Sequence, residues 1–190
     1  MMHEFVSYPK IGRLNRDIII TEKLDGTNSA IRIADTGEFA CAQSRNRIIT
    51  PDNDNYGFAR WCRDNQQALA ALLGPGLHFG EWWGLGVQRG YGLKTKVLSL
   101  FNVTRWAETF AEKPIMIGGA AVNVVPKLYE GPWITRRSYA PELVLEGLRE
   151  HGSNAAPGFM KPEGIVVFHA ASGALLKATL ERDEQRKAEA

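Results

Sequence analysis

The stretch Asp17-Ile18-Ile19-Ile20-Thr21-Glu22-Lys23-Leu24-Asp25-Gly26-Thr27-Asn28-Ser29-Ala30-Ile31-Arg32-Ile33 places one lysine at the end of a strand. The β-branched run Ile18 to Thr21 predicts a strand, and Asp25-Gly26 is the strongest short-range signal for a tight hairpin turn into a second alternating strand. Lys23 is therefore held on rigid backbone at the mouth of a turn, where an amine can be aimed. A lysine before such a turn is also ordinary strand-edge chemistry, so the rest of the chain must decide between the two.

Outward from this stretch, Asp35-Thr36-Gly37 is another turn and Glu38 to Gln43 a third strand, so the chain opens as an antiparallel meander. Ser44-Arg45-Asn46-Arg47 ends that strand with two guanidinium groups, suited to phosphate or ribose oxygens or to a solvated turn. Pro51 to Gly57 superficially suggests a calcium loop. Tyr56 occupies a ligand position, however, and Arg63 stands where the closing glutamate belongs, so the stretch reads as a helix N-cap. The helix runs from about Gly57 to Leu73, with Phe58, Trp61, Cys62, Leu69, Leu72 and Leu73 on its core face and Gly74 as its stop.

Leu77 to Gly84 is a strand in which Glu81 lies between apolar neighbours; a buried carboxylate needs a partner, an arginine or a ligand. Lys96 to Val103 is another strand, and Phe101 is either core or a platform for a base. Ile115 to Ile117, a Gly-Gly turn, and Val122 to Tyr129 follow, with Pro126 marking an edge or bulge. Pro141 opens a helix to His151, stopped by Gly152, and Ser153 to Gly158 is a loop in which no chemistry is expected. Two apolar strands close the chain, one preceded by Glu163 and one carrying Lys177, and the tail beyond Leu180 reads as a solvated helix.

Composition narrows the classes. With 190 residues and 44% hydrophobic content the chain is long enough for one substantial core, and one domain spanning 1–190 is expected. The net charge of +2, from 23 basic and 21 acidic residues, announces no bulk field for nucleic acid, so any such surface must be local. Cys41 and Cys62 lack metal-type spacing and read as small core residues, which fits a reducing, cytoplasmic setting. No leader pattern and no membrane-length apolar run is present. Gly84-Leu85-Gly86-Val87-Gln88-Arg89-Gly90 misses the dinucleotide fingerprint by one residue and no phosphate-loop Gly-Lys-Ser/Thr occurs, so neither Rossmann nor P-loop binding is supported.

In order, Lys23-Leu24-Asp25-Gly26, Ser44-Arg45, Phe79-Gly80-Glu81, Leu100-Phe101, Lys161-Pro162-Glu163-Gly164 and Leu176-Lys177 form one constellation. With it the sequence resembles the covalent nucleotidyltransferase superfamily of polynucleotide ligases and mRNA capping enzymes, and looks most like its RNA ligase branch, over roughly residues 17 to 180. The resemblance implies an α+β nucleotidyltransferase domain, ATP-grasp-like, of antiparallel sheets flanked by helices, with the nucleotide in the cleft between them; the short stretch after Lys177 makes no OB-fold domain the expectation.

It further implies that Lys23 is a nucleophile that attacks the α-phosphorus of ATP and becomes lysyl-AMP, with Lys177 and Mg²⁺ or Mn²⁺ supplying positive charge. Free lysine is almost wholly protonated at neutral pH, so such a site must favour the neutral amine. By the same likeness Glu22, Asp25, Gly26, Asn28, Arg45, Glu81, Phe101, Lys161 and Glu163 bind the nucleotide, Arg45 and Glu81 at ribose and phosphate and Phe101 on adenine. Glu163 also ligates the metal. The resemblance likewise implies RNA with 5′-phosphate and 3′-hydroxyl ends as the substrate. Many relatives carry two lysines one residue apart in the last motif, whereas Leu175 and Thr179 flank Lys177 here, so phosphate neutralisation is weaker or shared with Arg45, Arg47 or Lys161. Only 13 residues follow Lys177, which disfavours a DNA ligase or capping enzyme and leaves room for an accessory protein to supply substrate binding. The run Trp82, Trp83, Arg89, Tyr91, Lys94, Lys96 is the candidate strand-binding surface, together with Arg47. Two rival readings are a GTP-using capping guanylyltransferase and a non-catalytic nucleic-acid-binding module.

Overall fold

The computed structural model describes residues 4–134 and 138–181. The expected tail helix lies almost entirely outside them. The chain runs β1 (Asp17–Lys23), β2 (Thr27–Ile33), β3 (Phe39–Ser44), β4 (Ile48–Ile49), α1 (Phe58–Asp64), α2 (Gln66–Leu73), β5 (Gly76–Gly84), β6 (Lys96–Leu100), α3 (Val103–Trp106), β7 (Ile115–Ile117), β8 (Ala120–Val124), β9 (Lys127–Pro132), α4 (Ala140–His151), β10 (Gly164–His169) and β11 (Ala174–Thr179). Two sheets result, a four-stranded one in the order β11-β10-β1-β9 and a seven-stranded one in the order β4-β3-β2-β5-β6-β8-β7. Among the described strands only the β6–β8 pairing is parallel. The α+β expectation therefore holds, and neither sheet closes into a barrel.

The opening meander is half right. β2 and β3 pair as a hairpin, but β1 and β2 lie in different sheets, β1 between β9 and β10 and β2 between β3 and β5. Asp25-Gly26 is a crossing between sheets, and neither residue has the positive φ of a type I′ turn. Gly26 is there for space, since a Cβ on it would lie 2.4 Å from the Trp82 carbonyl oxygen and 2.7 Å from Trp83 Cβ. Gly26→Ala is expected to cost about 1–3 kcal/mol and to lower the melting temperature by several degrees, read by thermal unfolding.

Packing also explains two smaller departures. The expected single helix breaks at Asn65, whose side-chain amide donates to the Trp61 carbonyl (2.8 Å) in competition with the helical ladder. The cap read into residues 51–57 is present as Asp54, whose carboxylate accepts the N–H groups of Ala59 (2.7 Å) and Arg60 (3.1 Å). The single strand expected through Pro126 is two, because there the chain leaves one sheet for the other, and the Pro126 carbonyl accepts the Glu22 N–H (3.0 Å). The Gly-Gly turn is as expected, with Gly118 and Gly119 at positive φ between β7 and β8. Cys62 is buried and Cys41 half-buried.

Each sheet hides its outer face under helices. Ile18 and Ile20 of β1 and Ile165 and Val167 of β10 pack with Leu148 of α4. Trp82, Leu98 and Leu100 pack with Phe58, Trp61, Cys62 and Leu69 of α1 and α2. Side chains alternate along a strand, so the residues in between face the space where the sheets oppose each other. Among the described residues no helix is long and apolar enough to cross a membrane.

Candidate active site

That space is a cavity of about 730 Å³. From the four-stranded sheet Ile19, Thr21 and Lys23 of β1, Val166 and Phe168 of β10 and Leu175 of β11 line it; from the other sheet come Asn28, Leu77, Phe79, Glu81 and Phe101. The register explains the set. Lys23 pairs with Gly164, Thr21 with Val166, and Val166 with Lys177, so Lys177 shares the face of Lys23. Their Cα atoms are roughly 12 Å apart from strand spacing and rise alone, a distance that two lysine side chains can span from both ends. Lys177 is exposed.

Across the cleft, Asn28 pairs with Glu81 on neighbouring strands. The Phe101 N–H donates to the Phe79 carbonyl (3.0 Å), and the Phe101 ring is 39% exposed on the cavity wall.

Three carboxylates stand near the turn after β1. Glu163 Oε1 lies 2.6 Å from Lys23 Nζ. Its other oxygen, Oε2, is buried without a hydrogen-bond partner, and buried oxygens of that kind are rarely left unpaired unless something else approaches them. Glu81 Oε1 accepts the Gly26 N–H (3.1 Å). Burial pushes the Glu81 carboxyl up to about 7, against the pull of Lys23 and the Gly26 hydrogen bond and with help from the Glu163 and Asp25 charges. Asp25 Oδ2 meets Arg89 Nε at 2.7 Å, and its backbone N–H donates to Tyr91 Oη (2.9 Å).

The Glu81 shift has a consequence for stability. Between about pH 4.5 and 7 the folded chain keeps a proton on Glu81 that the unfolded chain has lost, so stability falls as pH rises through that window. The effect is on the order of 3 kcal/mol. Glu81→Gln, which keeps an acceptor for Gly26, is expected to flatten the profile. Urea midpoints at pH 5 and pH 8, in buffer free of metal and nucleotide, check this.

Other residues singled out in the sequence lie elsewhere. Trp83 is buried and its indole N–H donates to Ser99 Oγ (2.8 Å), while Trp82 and Tyr91 are also in the core. The aromatic run is therefore not a stacking surface: β5 has packing on both faces, Trp82 toward α1 and Trp83 toward Leu24, Tyr91 and Val97. Lys96 donates to the Tyr56 carbonyl and lies over the Trp82 ring. Arg89 is taken up at Asp25 and by the Lys161 carbonyl (3.0 Å). Arg45, Arg47, Lys94 and Lys161 are exposed, with Arg47 donating to the Asn53 carbonyl (3.3 Å) and Arg45 on the turn beyond β3, outside the cavity lining.

One loop was passed over. Glu22 alternates with Lys23 and sends its carboxylate to the other side of the sheet, where Ser153 Oγ (2.6 Å) and the N–H groups of Asn154 (2.8 Å) and Ala155 (2.9 Å) donate to it. Burial still raises its pKa against these bonds. The signal was in the sequence: a glutamate within an apolar strand requires donors, and Ser153 directly after a helix stop is a ready one.

A cleft between two sheets with helices outside, together with the family match over residues 16–179, puts the chain in the covalent nucleotidyltransferase superfamily. Within it the chain belongs to the RNA ligase family, whose model matches residues 16–179. Among solved structures it is similar to Naegleria gruberi RNA ligase. An apo point mutant gives a TM-score of 0.55 at 19% identity, over 87% of this chain and 50% of that one. Another point mutant, with ATP and Mn, gives 0.55 at 18% identity over 90% and 52%. The structure with PPi gives 0.54 at 18% identity over 97% and 60%. At such identity the likeness establishes the fold, and the chain spans about half to three-fifths of those chains. The comparison with curated proteins returned no match.

Proposed function

We propose that the protein is an ATP-dependent RNA ligase that works through a lysyl-AMP intermediate on Lys23. The observation that carries this reading is the Lys23–Glu163 contact at 2.6 Å, on the cleft face of β1, beside a buried carboxylate oxygen with no partner. In the first step the Lys23 Nζ lone pair forms a bond to the α-phosphorus of ATP. The bond to the β-phosphate oxygen breaks, pyrophosphate leaves with the electron pair, and Nζ gives up its protons to solvent or product.

In the second step a 5′-phosphate oxygen of RNA takes the AMP and the nitrogen–phosphorus bond breaks. In the third a 3′-hydroxyl attacks that 5′-phosphate and AMP departs. Phosphoryl transfer of this kind depends chiefly on alignment and charge neutralisation. Lys23 and Lys177 face one cleft for that purpose, Asn28 and Glu81 meet the ribose side, and Phe101 presents its ring to adenine.

Glu163 offers one unpartnered oxygen that fits a hard divalent cation, but among the described residues no group of three or more His, Cys, Asp or Glu could hold such an ion by itself. Phosphate oxygens and waters would complete its shell. Bound Mg²⁺ or Mn²⁺ supplies positive charge against the phosphates. Arg47 and Lys94, both exposed, remain available for RNA phosphates.

The test is strand joining with single-stranded and nicked RNA bearing 5′-phosphate and 3′-hydroxyl ends. Joined product with release of AMP, with ATP and a divalent metal only, is the expected result. Joining supported by GTP but not ATP contradicts it.

A further inference from the structure

Arg89 was expected to hold RNA, and the structure spends it on the protein itself. Its Nε reaches Asp25 Oδ2 at 2.7 Å, a second guanidinium nitrogen reaches the Lys161 carbonyl at 3.0 Å, and a third lies 3.7 Å from Glu181 Oε2. These partners have a pattern. Asp25 is two residues after Lys23, Lys161 is two residues before Glu163, and Glu181 is four residues after Lys177. One planar fork thus touches the flanks of the three segments that carry Lys23, Glu163 and Lys177.

The loop between β5 and β6 that presents Arg89 is built to hold still. Successive turns fix it, with Val87 N–H to the Gly84 carbonyl, Gly90 N–H to Val87 and Leu93 N–H to Gly90. Val87 and Tyr91 anchor it in two separate cores. Tyr91 Oη accepts the Asp25 N–H, so Asp25 is gripped by backbone and side chain at once. The opposite side of the crossing is held by Glu81 at the Gly26 N–H.

From this geometry we infer that Arg89 is a positioning residue. It clamps the crossing after Lys23 to the strand entry before Glu163 and so sets the distance between the Lys23 amine and the Glu163 carboxylate. The inference rests on the proposed adenylylation at Lys23 for its catalytic consequence, though not for its structural one. A guanidinium is required because a lysine supplies one point charge and cannot serve two acceptors in a fixed plane.

Two readouts test the clamp. The first needs no catalysis. Lys23 acylation by a water-soluble N-hydroxysuccinimide acetate is followed by peptide mass spectrometry in the wild type, Arg89→Lys and Arg89→Ala. Loosening the Lys23–Glu163 contact is expected to change the Lys23 acylation rate at least about threefold in Arg89→Ala, with Lys94 and Lys127 unaffected; equal Lys23 rates in folded protein overturn the clamp.

The second is single-turnover adenylylation, normalised to active sites by titration. Misplacement on the scale of 1 Å costs up to about 100-fold, so Arg89→Ala is expected to lower the rate constant about 10- to 100-fold while the ATP concentration for half-maximal rate moves less than about threefold. Arg89→Lys should recover only part of it, and Asp25→Asn should add little in the Arg89→Ala background. An unchanged rate per active site, or a defect confined to RNA affinity, contradicts the inference. Absence of adduct in the wild type would refute the ligase reading alone, and the acylation readout would still decide the clamp.

Discussion

Lys23→Ala is expected to abolish joining of 5′-phosphate RNA, by on the order of 10⁴-fold or more, the scale on which loss of a covalent nucleophile acts. The same variant should retain its fold. Lys23 is at the strand end with its amine toward the cleft, it pairs with Glu163, and the cores that hold β1 in place are made by Ile18 and Ile20 on the other face. A further consequence separates lost chemistry from lost structure. RNA supplied already adenylylated at its 5′ end bypasses the covalent step, so Lys23→Ala should still join it, more slowly, where Lys23 itself helps align the phosphate. A variant that joins neither substrate, with an unchanged melting temperature, would place Lys23 in every step.

The second large effect is at Glu163. Glu163→Gln keeps the size of the side chain and removes the charge from an oxygen that is buried and without a hydrogen-bond partner. Adenylylation is expected to fall by about 10² to 10³-fold, the scale of losing one preorganised electrostatic contact in a transition state. The loss should be partly offset at high Mn²⁺ concentration, if Glu163 serves the metal. Since Glu163 is also the partner of Lys23 at 2.6 Å, Glu163→Gln removes a constraint on that amine. Metal titrations of the single-turnover rate distinguish these contributions: a rightward shift in metal dependence marks the metal role, and a lower plateau with the same midpoint marks the amine role.

The fold class was readable because strand periodicity and turn residues are local properties, and because six ordered motifs constrain one another. Lys23 and Glu81 line one cavity, and Glu163 contacts Lys23. The misreadings all arise where tertiary packing overrides local chemistry. Asp25-Gly26 carries the residues of a hairpin, yet the nearness of the Trp82 backbone, which only Gly26 allows, sends the chain into a second sheet. Trp82 and Trp83 suggest a strand-binding surface because aromatic and basic residues alternate along that run, but β5 is covered on both faces and its aromatics are spent on packing. Arg89 looked like a free cation since its partners, Asp25 and the Lys161 carbonyl, are 64 and 72 residues away in sequence. The Ser153 loop was set aside although Glu22, in an apolar strand, already demanded donors.

The most direct test of the central claim is intact mass spectrometry of the purified wild-type protein after incubation with Mg²⁺ or Mn²⁺ and either ATP or GTP. The account predicts a gain of one AMP with ATP alone, mapped to Lys23 and reversed by pyrophosphate. No gain with ATP under either metal, in protein shown to bind ATP, would contradict it, as would an adduct on any other residue.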